Sequence, residues 1–196
     1  MQQKLLVGVA HRDEKELADL LGKLSSHSPA SVALELPEDY LEREQYGIET
    51  FFFKDIARLY AAAGVGVIGL EDPETFDRGQ AIEVAKGVLL GRFTREQLES
   101  ELSGLRGSIT PYVPFEQVQV LKHFAERDRD ALAILDEAPA LEDVMGLFYD
   151  SNSRREAHVL RRILEEQPDI VVIGDAHARE LKDRLPGYEY VTFSPG

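Results

Sequence analysis

The chain has 196 residues, of which 43% are hydrophobic and none is cysteine, and its formal net charge at pH 7 is -14. This length suits one domain with a sizeable core, and the absence of cysteine excludes disulfides, thiolate metal sites and a cysteine nucleophile. The acidic charge argues against nucleic acid and anionic membranes as partners. Because the sequence has neither a signal-peptide pattern nor an apolar run of membrane-spanning length, we expect a soluble, cytoplasmic protein.

Four apolar runs of strand length predict the core of a sheet. They are residues 5–10, 31–36, 65–70 and 170–173. Runs that are apolar on both faces are typical of strands covered by helices on both sides, and so of a parallel sheet. A fifth run, residues 188–193, partly alternates between apolar and polar side chains and is predicted to be an edge strand.

Helical patterns separate these strands. They cover residues 13–24, which begin with the capping pattern of Asp13 and Glu16, then 48–63 and 178–185. The order of strand, helix, strand, helix and strand predicts an α/β fold with right-handed crossovers.

The stretch from residue 73 to 150 contains no convincing strand. Its helical patterns cover residues 80–90, 94–102, 114–137 and 141–149. Because an ordinary crossover needs one helix, we interpret residues 73–150 as a helical insertion between strands three and four. Two roles stay open for it: a packing subdomain, or a lid or substrate wall over the sheet's C-terminal edge. The predicted fold is a three-layer α/β sandwich, one domain over residues 1–196, with a mainly parallel sheet of four or five strands.

The six residues from Gly64 to Gly69 match the letters of a dinucleotide-binding G-x-G-x-x-G motif. That motif must follow a strand and open a helix. Here it follows a predicted helix and lies within a predicted strand, so we do not interpret it as a nucleotide site.

Two copies of Gly-x-x-His are the most informative feature of the chain. One runs from Gly8 to His11 and the other from Gly174 to His177, and each follows a predicted strand and opens a helix. Gly8 and Gly174 are interpreted as loop glycines. In an open parallel sheet, ligands bind at the C-terminal ends of the strands, so both histidines are candidate site residues. The alternative for each is a histidine in a loop beside a helix cap.

Carboxylates follow or end the other predicted strands. Glu35 lies inside an apolar strand, where an ionised carboxylate is costly unless it is paired. Glu71 and Asp72 end the third strand and could instead be turn residues, and Asp175 could instead cap the next helix. Two imidazoles with several carboxylates can bind Zn or Mn, or can act as acid and base without a metal.

A predicted helix over residues 153–167 adds two candidates. Its buried arc is expected at Ala157, Leu160, Ile163 and Leu164, with Glu156 inside the arc and Arg155 at its margin. The alternative is that Ser153 and Glu156 form a capping box at the start of the helix. The remaining basic residues of this segment are expected to form a solvated face, and they are Arg154, His158, Arg161 and Arg162. His27 and His123 receive no role.

Together these motifs resemble the TraB/PrgY–TIKI superfamily, whose wider relatives include GumN, ChaN-like and erythromycin-esterase-like proteins. The resemblance covers residues 6–11, 32–36, 155–156 and 171–177. It implies an α/β core whose site contains both Gly-x-x-His histidines, the strand-end Glu35 and the helix Arg155. TIKI members of the superfamily are metal-dependent proteases. The sequence departs from the family in lacking the basic residues that usually follow the second and third strands, where it has residues 37–39 and Asp72.

The residues and the resemblance lead to one expected function and one alternative. The expected function is that of a metal-assisted hydrolase of the metalloprotease type, which acts on a peptide or amide. His11, His177 and Glu35 would bind Zn or Mn or activate water, while Arg155 and Glu156 would assist catalysis. The alternative is a non-catalytic protein that sequesters a peptide or small molecule at the same edge of the sheet.

Overall fold

The computed structural model describes residues 3–10, 14–24, 26–40, 51–108 and 115–193, with backbone alone at positions 14–16, 51, 115–116 and 193. These residues fall into two compact units. We call them the sheet unit, which contains the described residues up to Glu71 and from Glu156 onward, and the helical unit, which contains those from Asp72 to Arg155. The expectation of a single domain over the whole chain stays a prediction.

The sheet unit is built on five parallel strands in the order β3-β2-β4-β1-β5. The strands are β1 Lys4–Val9, β2 Ser31–Pro37, β3 Gly66–Glu71, β4 Ile170–Gly174 and β5 Tyr188–Phe193. The predicted α/β fold with a parallel sheet is therefore confirmed, and β5 lies at an edge as expected. The central strand β4 is buried along its whole length, which explains its unbroken apolar sequence.

Three helices and a part of a fourth complete the sheet unit. They are α1 Glu14–Leu24, α2 Phe51–Ala62, α7 Asp175–Leu181 with a 3-10 turn at Lys182–Arg184, and the end of α6 Leu141–Glu166. One core cluster joins Leu6, Ala33 and Val171 of the sheet to Leu160 and Ile163 of α6. The apolar periodicity of that last helical segment is thus used to cover the sheet.

The helical unit contains α3 Pro73–Leu89, α4 Arg95–Ser108, α5 Phe115–Glu137 and the first part of α6. Ala81, Ile82, Leu98 and Ala131 lie in its separate core. No strand occurs among the described residues of this unit, and its helices lie between β3 and β4 in the chain, as the predicted insertion requires. None of the helices in the described part of the chain is long and apolar enough to cross a membrane.

Four predicted helix assignments were wrong. Helix α4 ends at Ser108 rather than at residue 102. Helix α3 begins at Pro73 rather than at residue 80 because Asp72 caps it and proline suits its first position. Helix α7 begins at Asp175, three residues earlier than expected. Helix α6 is one continuous helix, where the sequence suggested two.

Tyr188, at the start of the edge strand β5, makes the stability of the folded protein depend on pH in the alkaline range. Its hydroxyl donates a hydrogen bond to the Pro168 carbonyl at 2.8 Å, and burial, with a further contribution from Asp169, raises the pKa of Tyr188 from 10.0 to about 12. Since the folded state holds this proton more tightly, its contribution to stability is complete below about pH 10 and is lost between about pH 10 and pH 12.

We expect Tyr188→Phe to lower the free energy of unfolding at pH 7 by about 1 kcal/mol, because one hydrogen bond is lost. The variant should also lose stability less steeply than the wild type above pH 10. Urea unfolding between pH 7 and pH 11.5 measures both effects. The exposed Tyr149 gives the matched control, Tyr149→Phe, which should follow the wild type, and parallel curves for all three proteins would contradict the expectation.

Candidate functional site

His177 lies between two carboxylates in the sheet unit. Its Nε2 atom is 3.7 Å from Oε1 of Glu35, and its Nδ1 atom is 3.5 Å from Oε1 of Glu156. Glu35 is buried, whereas about a quarter of the His177 and Glu156 side chains is exposed, at 25% and 28%. The structure thus brings together three of the predicted site residues, from three separate elements, at a position that solvent can reach.

The backbone of β4 fixes the buried Glu35. Strands β2 and β4 are parallel neighbours, and the peptide N–H of Gly174, the last residue of β4, donates a hydrogen bond to Oε2 of Glu35. His177 follows in the first turn of α7. One carboxylate oxygen of Glu35 is therefore held by the main chain, and the other faces the imidazole.

An irregularity in β2 places Glu35 in this position. The pairing of β2 with β3 shifts register between Leu34 and Pro37, so that Leu34 lies opposite Gly69 and Pro37 lies opposite Glu71. A Cβ atom at Gly69 would clash with the Pro37 carbonyl and would lie 2.9 Å from Cα of Glu38. Glycine is needed here for the close approach of two backbones, and bulges of this type re-aim side chains beside functional sites. Gly69 therefore has a structural role, in agreement with the rejection of a nucleotide motif.

The capping alternative for Glu156 was wrong. Ser153 lies inside the continuous helix α6, and its hydroxyl donates to the carbonyl of Tyr149, four residues earlier, at 2.9 Å. There is no helix start at Ser153 to be capped. The carboxylate of Glu156 is instead directed to His177.

The predicted buried arc of this helix was partly wrong. Ala157 and Leu164 are exposed, whereas Val159, Leu160 and Ile163 are buried. Glu156 precedes these three by three, four and seven residues, which places it on their face of the helix. The predicted arc was partly wrong because alanine and leucine also occur on exposed helix faces. The buried arc of the structure is rotated towards Val159.

A substitution at Ser153 tests whether this residue lies in the interior of a helix or at its start. If Ser153 capped a helix, Ser153→Ala would lower the free energy of unfolding by about 0.5–2 kcal/mol. In the interior, where the serine bonds back to the preceding turn, we expect the change to be neutral or to stabilise by up to about 0.5 kcal/mol. Chemical denaturation measures the difference, and a loss above about 1 kcal/mol would contradict the continuous helix.

The first Gly-x-x-His motif is described only in part, because His11 lies outside the described residues. The designation of Gly8 and Gly174 as loop glycines was wrong, since Gly8 lies within β1 and Gly174 ends β4. A Cβ atom at Gly8 would lie 2.7 Å from Oδ1 of Asp175 and 3.1 Å from Cβ of Ala178. Gly8 therefore serves the close packing of α7 on β1.

Asp175 does not cap α7, contrary to the alternative considered above. The cap is Gly174, without a side-chain bond, while Asp175 accepts a hydrogen bond from the Tyr190 hydroxyl at 2.7 Å and pairs with Arg179 at 2.5 Å. Burial, and next the hydrogen bond to Asp175, raise the pKa of Tyr190. Asp175 thus links α7 to β5, and a catalytic part for it stays a prediction.

The two acidic residues that end the third strand differ in role. Glu71 is the buried last residue of β3, and a site role for it stays a prediction. Asp72 accepts hydrogen bonds from the backbone N–H and the hydroxyl of Thr75, at 2.8 and 2.7 Å, so capping of α3 accounts for it. Arg155 is half-buried and is the last residue of the helical unit, and its catalytic role also stays a prediction.

The prediction of a solvated basic face was wrong for two of its residues, His158 and Arg162. The side chains of His158 and Arg162 are only 19% and 21% exposed, and both contact Glu38. Their spacing of four residues on one side of α6 is the signal that could have grouped them. Their acidic partner, 120 residues earlier in the chain, could not be read from the helix pattern.

The described donors fit part of the predicted metal site. Among the described residues, which exclude His11, no group of three or more histidine and acidic side chains forms a metal site. Nevertheless, the 3.7 Å between Oε1 of Glu35 and Nε2 of His177 is close to the separation of about 3.3 Å expected for two ligands of one tetrahedral zinc. Glu156, on the opposite ring nitrogen, matches the carboxylate that commonly supports a metal-binding histidine.

No family model and no curated protein matches the sequence. Among solved structures, the chain is similar to a mutant of the erythromycin esterase EreC in its open conformation. That match covers 96% of this chain and 69% of the other, with 14% sequence identity and a TM-score of 0.41. The resemblance to the TraB/PrgY–TIKI superfamily stays a prediction.

Proposed function

We propose that the chain is a hydrolase that activates water beside His177 and cleaves a peptide or amide bond with the help of Zn or Mn. The observation that carries the proposal is the imidazole of His177 with a carboxylate at each ring nitrogen. The choice of a peptide or amide follows from the sequence resemblance. His11 is included as a metal ligand on the same ground.

In this proposal each described residue has a separate task. Glu156 faces Nδ1 of His177 at 3.5 Å and would accept a hydrogen bond from its N–H group, which leaves the lone pair of Nε2 directed to the side of Glu35. Glu35 would contribute its Oε1 atom, while the Gly174 N–H keeps the carboxylate in place. Arg155 would stabilise the negative charge that develops on the substrate.

His11, Glu35 and His177 would hold the metal. The ion would supply Lewis-acid activation of water and of the scissile carbonyl group. The protein's own part is to orient the ring, since Glu156 faces Nδ1 of His177 and so directs Nε2 to the place of the ion.

The test uses purified protein, elemental analysis and hydrolysis of a fluorogenic peptide library and of p-nitrophenyl acetate. We expect turnover that a chelator removes and that Zn or Mn restores. Because Glu156 supports a ligand and does not itself bind the ion, Glu156→Gln should reduce metal affinity or turnover by about 10–100-fold.

Glu142→Gln is the matched control, since Glu142 lies on the same helix at an exposed position. It should behave as the wild type. Turnover that is insensitive to chelation would contradict the metal, and tight peptide binding without any turnover would favour the sequestering protein.

A further inference from the structure

A second group of contacts joins α6 to the end of β2 within the sheet unit. Glu38, in the turn that follows β2, has its Oε1 atom 3.0 Å from Nε2 of His158 and 3.1 Å from Nε of Arg162. The peptide N–H of Glu38 donates to the carbonyl of Glu71, at 2.9 Å, which ties the turn to β3. The turn after β2 therefore links α6 to the sheet, through ion pairs on one side and a backbone hydrogen bond on the other.

The contacts of His158 assign a role to each of its ring nitrogens. Nη2 of Arg161 lies 3.1 Å from Nδ1 of His158. Since arginine can only donate hydrogen bonds, Nδ1 is the acceptor, and Nε2 carries the hydrogen that is donated to Glu38. In this pattern the hydrogen of His158 is on Nε2, and each ring nitrogen has a partner.

The position of Glu156 depends on the same helix segment. Glu156 and His158 are two residues apart and therefore about 3 Å apart along the helix axis. The contacts of His158 and Arg162 with Glu38 restrain both the rotation and the sliding of this segment of α6. Oε1 of Glu156 lies 3.5 Å from Nδ1 of His177. A small rotation of this segment of α6 would therefore take the carboxylate out of contact with the imidazole.

We propose that His158 is a positioning residue, which holds α6 through Glu38 so that Glu156 keeps the imidazole of His177 in one orientation and tautomer. The inference deepens the proposed function, on which the catalytic meaning of that tautomer rests. The contact of His158 with Glu38 differs from an ordinary surface ion pair in one respect. The hydrogen-bonding pattern, a donor towards Glu38 and an acceptor towards Arg161, matters more than charge.

The test reads the tautomers directly from the ring nitrogen shifts of uniformly ¹⁵N-labelled full-length protein. In the wild type we expect the hydrogen of His158 on Nε2 and that of His177 on Nδ1. His158→Phe keeps a ring but removes both hydrogen bonds, so the fraction of His177 with its hydrogen on Nδ1 should fall. His158→Gln offers an amide N–H to Glu38 and a carbonyl to Arg161, and should restore the wild-type ring nitrogen shifts of His177.

Glu38→Ala keeps the proposal testable if His158→Phe does not fold, because it removes the partner from a partly exposed turn. It should change the His177 tautomer in the same direction, whereas Glu189→Ala, at an exposed position of β5, should not. Wild-type His177 tautomers in both His158→Phe and Glu38→Ala would overturn the proposal. The readout needs no substrate, so a failure to detect hydrolysis would contradict the proposed function alone.

Discussion

Glu35→Gln is expected to reduce turnover by about 10²–10⁴-fold, the usual range for the loss of a group that transfers a proton or binds the activated water. Gln has nearly the same shape, and its carbonyl oxygen can still accept the hydrogen bond from the Gly174 N–H. The amide, however, carries no charge towards Nε2 of His177. It can neither hold a divalent ion as a carboxylate does nor stabilise a protonated imidazole.

The same substitution should change the free energy of unfolding by less than about 1.5 kcal/mol, because the buried hydrogen bond to the backbone survives. Activity and thermal unfolding are measured on the same samples. Glu189→Gln removes one exposed carboxylate from β5 and serves as the control for the lost charge. A Glu35→Gln protein with full turnover would remove Glu35 from the site and leave it as a structural acceptor for Gly174.

Gly69→Ala is expected to have the largest effect on stability, a loss of about 3–5 kcal/mol in the free energy of unfolding. The new methyl group would meet three backbone atoms, including the Pro37 carbonyl carbon at 2.8 Å. Backbone cannot turn aside as a side chain can, so β2 and β3 must separate, and overpacking of this severity lies at the upper end of measured costs.

Gly66→Ala is a matched control on the same strand. A Cβ atom at Gly66 would find its nearest neighbour, the Ala30 carbonyl oxygen, at 3.4 Å, which is an ordinary contact. We expect this change to alter stability by no more than about 1 kcal/mol. Urea unfolding compares the two variants, and equal stabilities would show that the close approach at Gly69 is not required.

The strands could be predicted because a strand that is buried on both faces needs apolar side chains at successive positions, which appear as an unbroken apolar run. Glu35 was identified for the same reason, since a carboxylate inside such a run is costly and needs a partner. That partner, the peptide N–H of Gly174, has no signature in sequence because every residue except proline has one. The neighbouring position of β2 and β4 provides it, and strand order cannot be read from apolar runs.

Helix α6 shows a second limit. Ser153 and Glu156 have the spacing of a capping box, but the same spacing also occurs within a helix, and only the continuous backbone through Ser153 decides between them. His158 was likewise assigned to solvent because a helix pattern describes one element at a time. The turn residue Glu38, which gives His158 its contact, belongs to another element.

The order of the strands also determines when the site can form during folding. Strand β4 separates β1 from β2 in the sheet, and Leu5 pairs with Ile170, across most of the chain. Until residues 170–174 have been synthesised, β1 and β2 have no shared neighbour, and such long-range pairing slows folding and exposes strand edges meanwhile. Glu156 and His177 lie on either side of this strand in the chain. During synthesis, closure of the sheet and assembly of the candidate site therefore become one event, which cannot occur before residues 156–177 have left the ribosome.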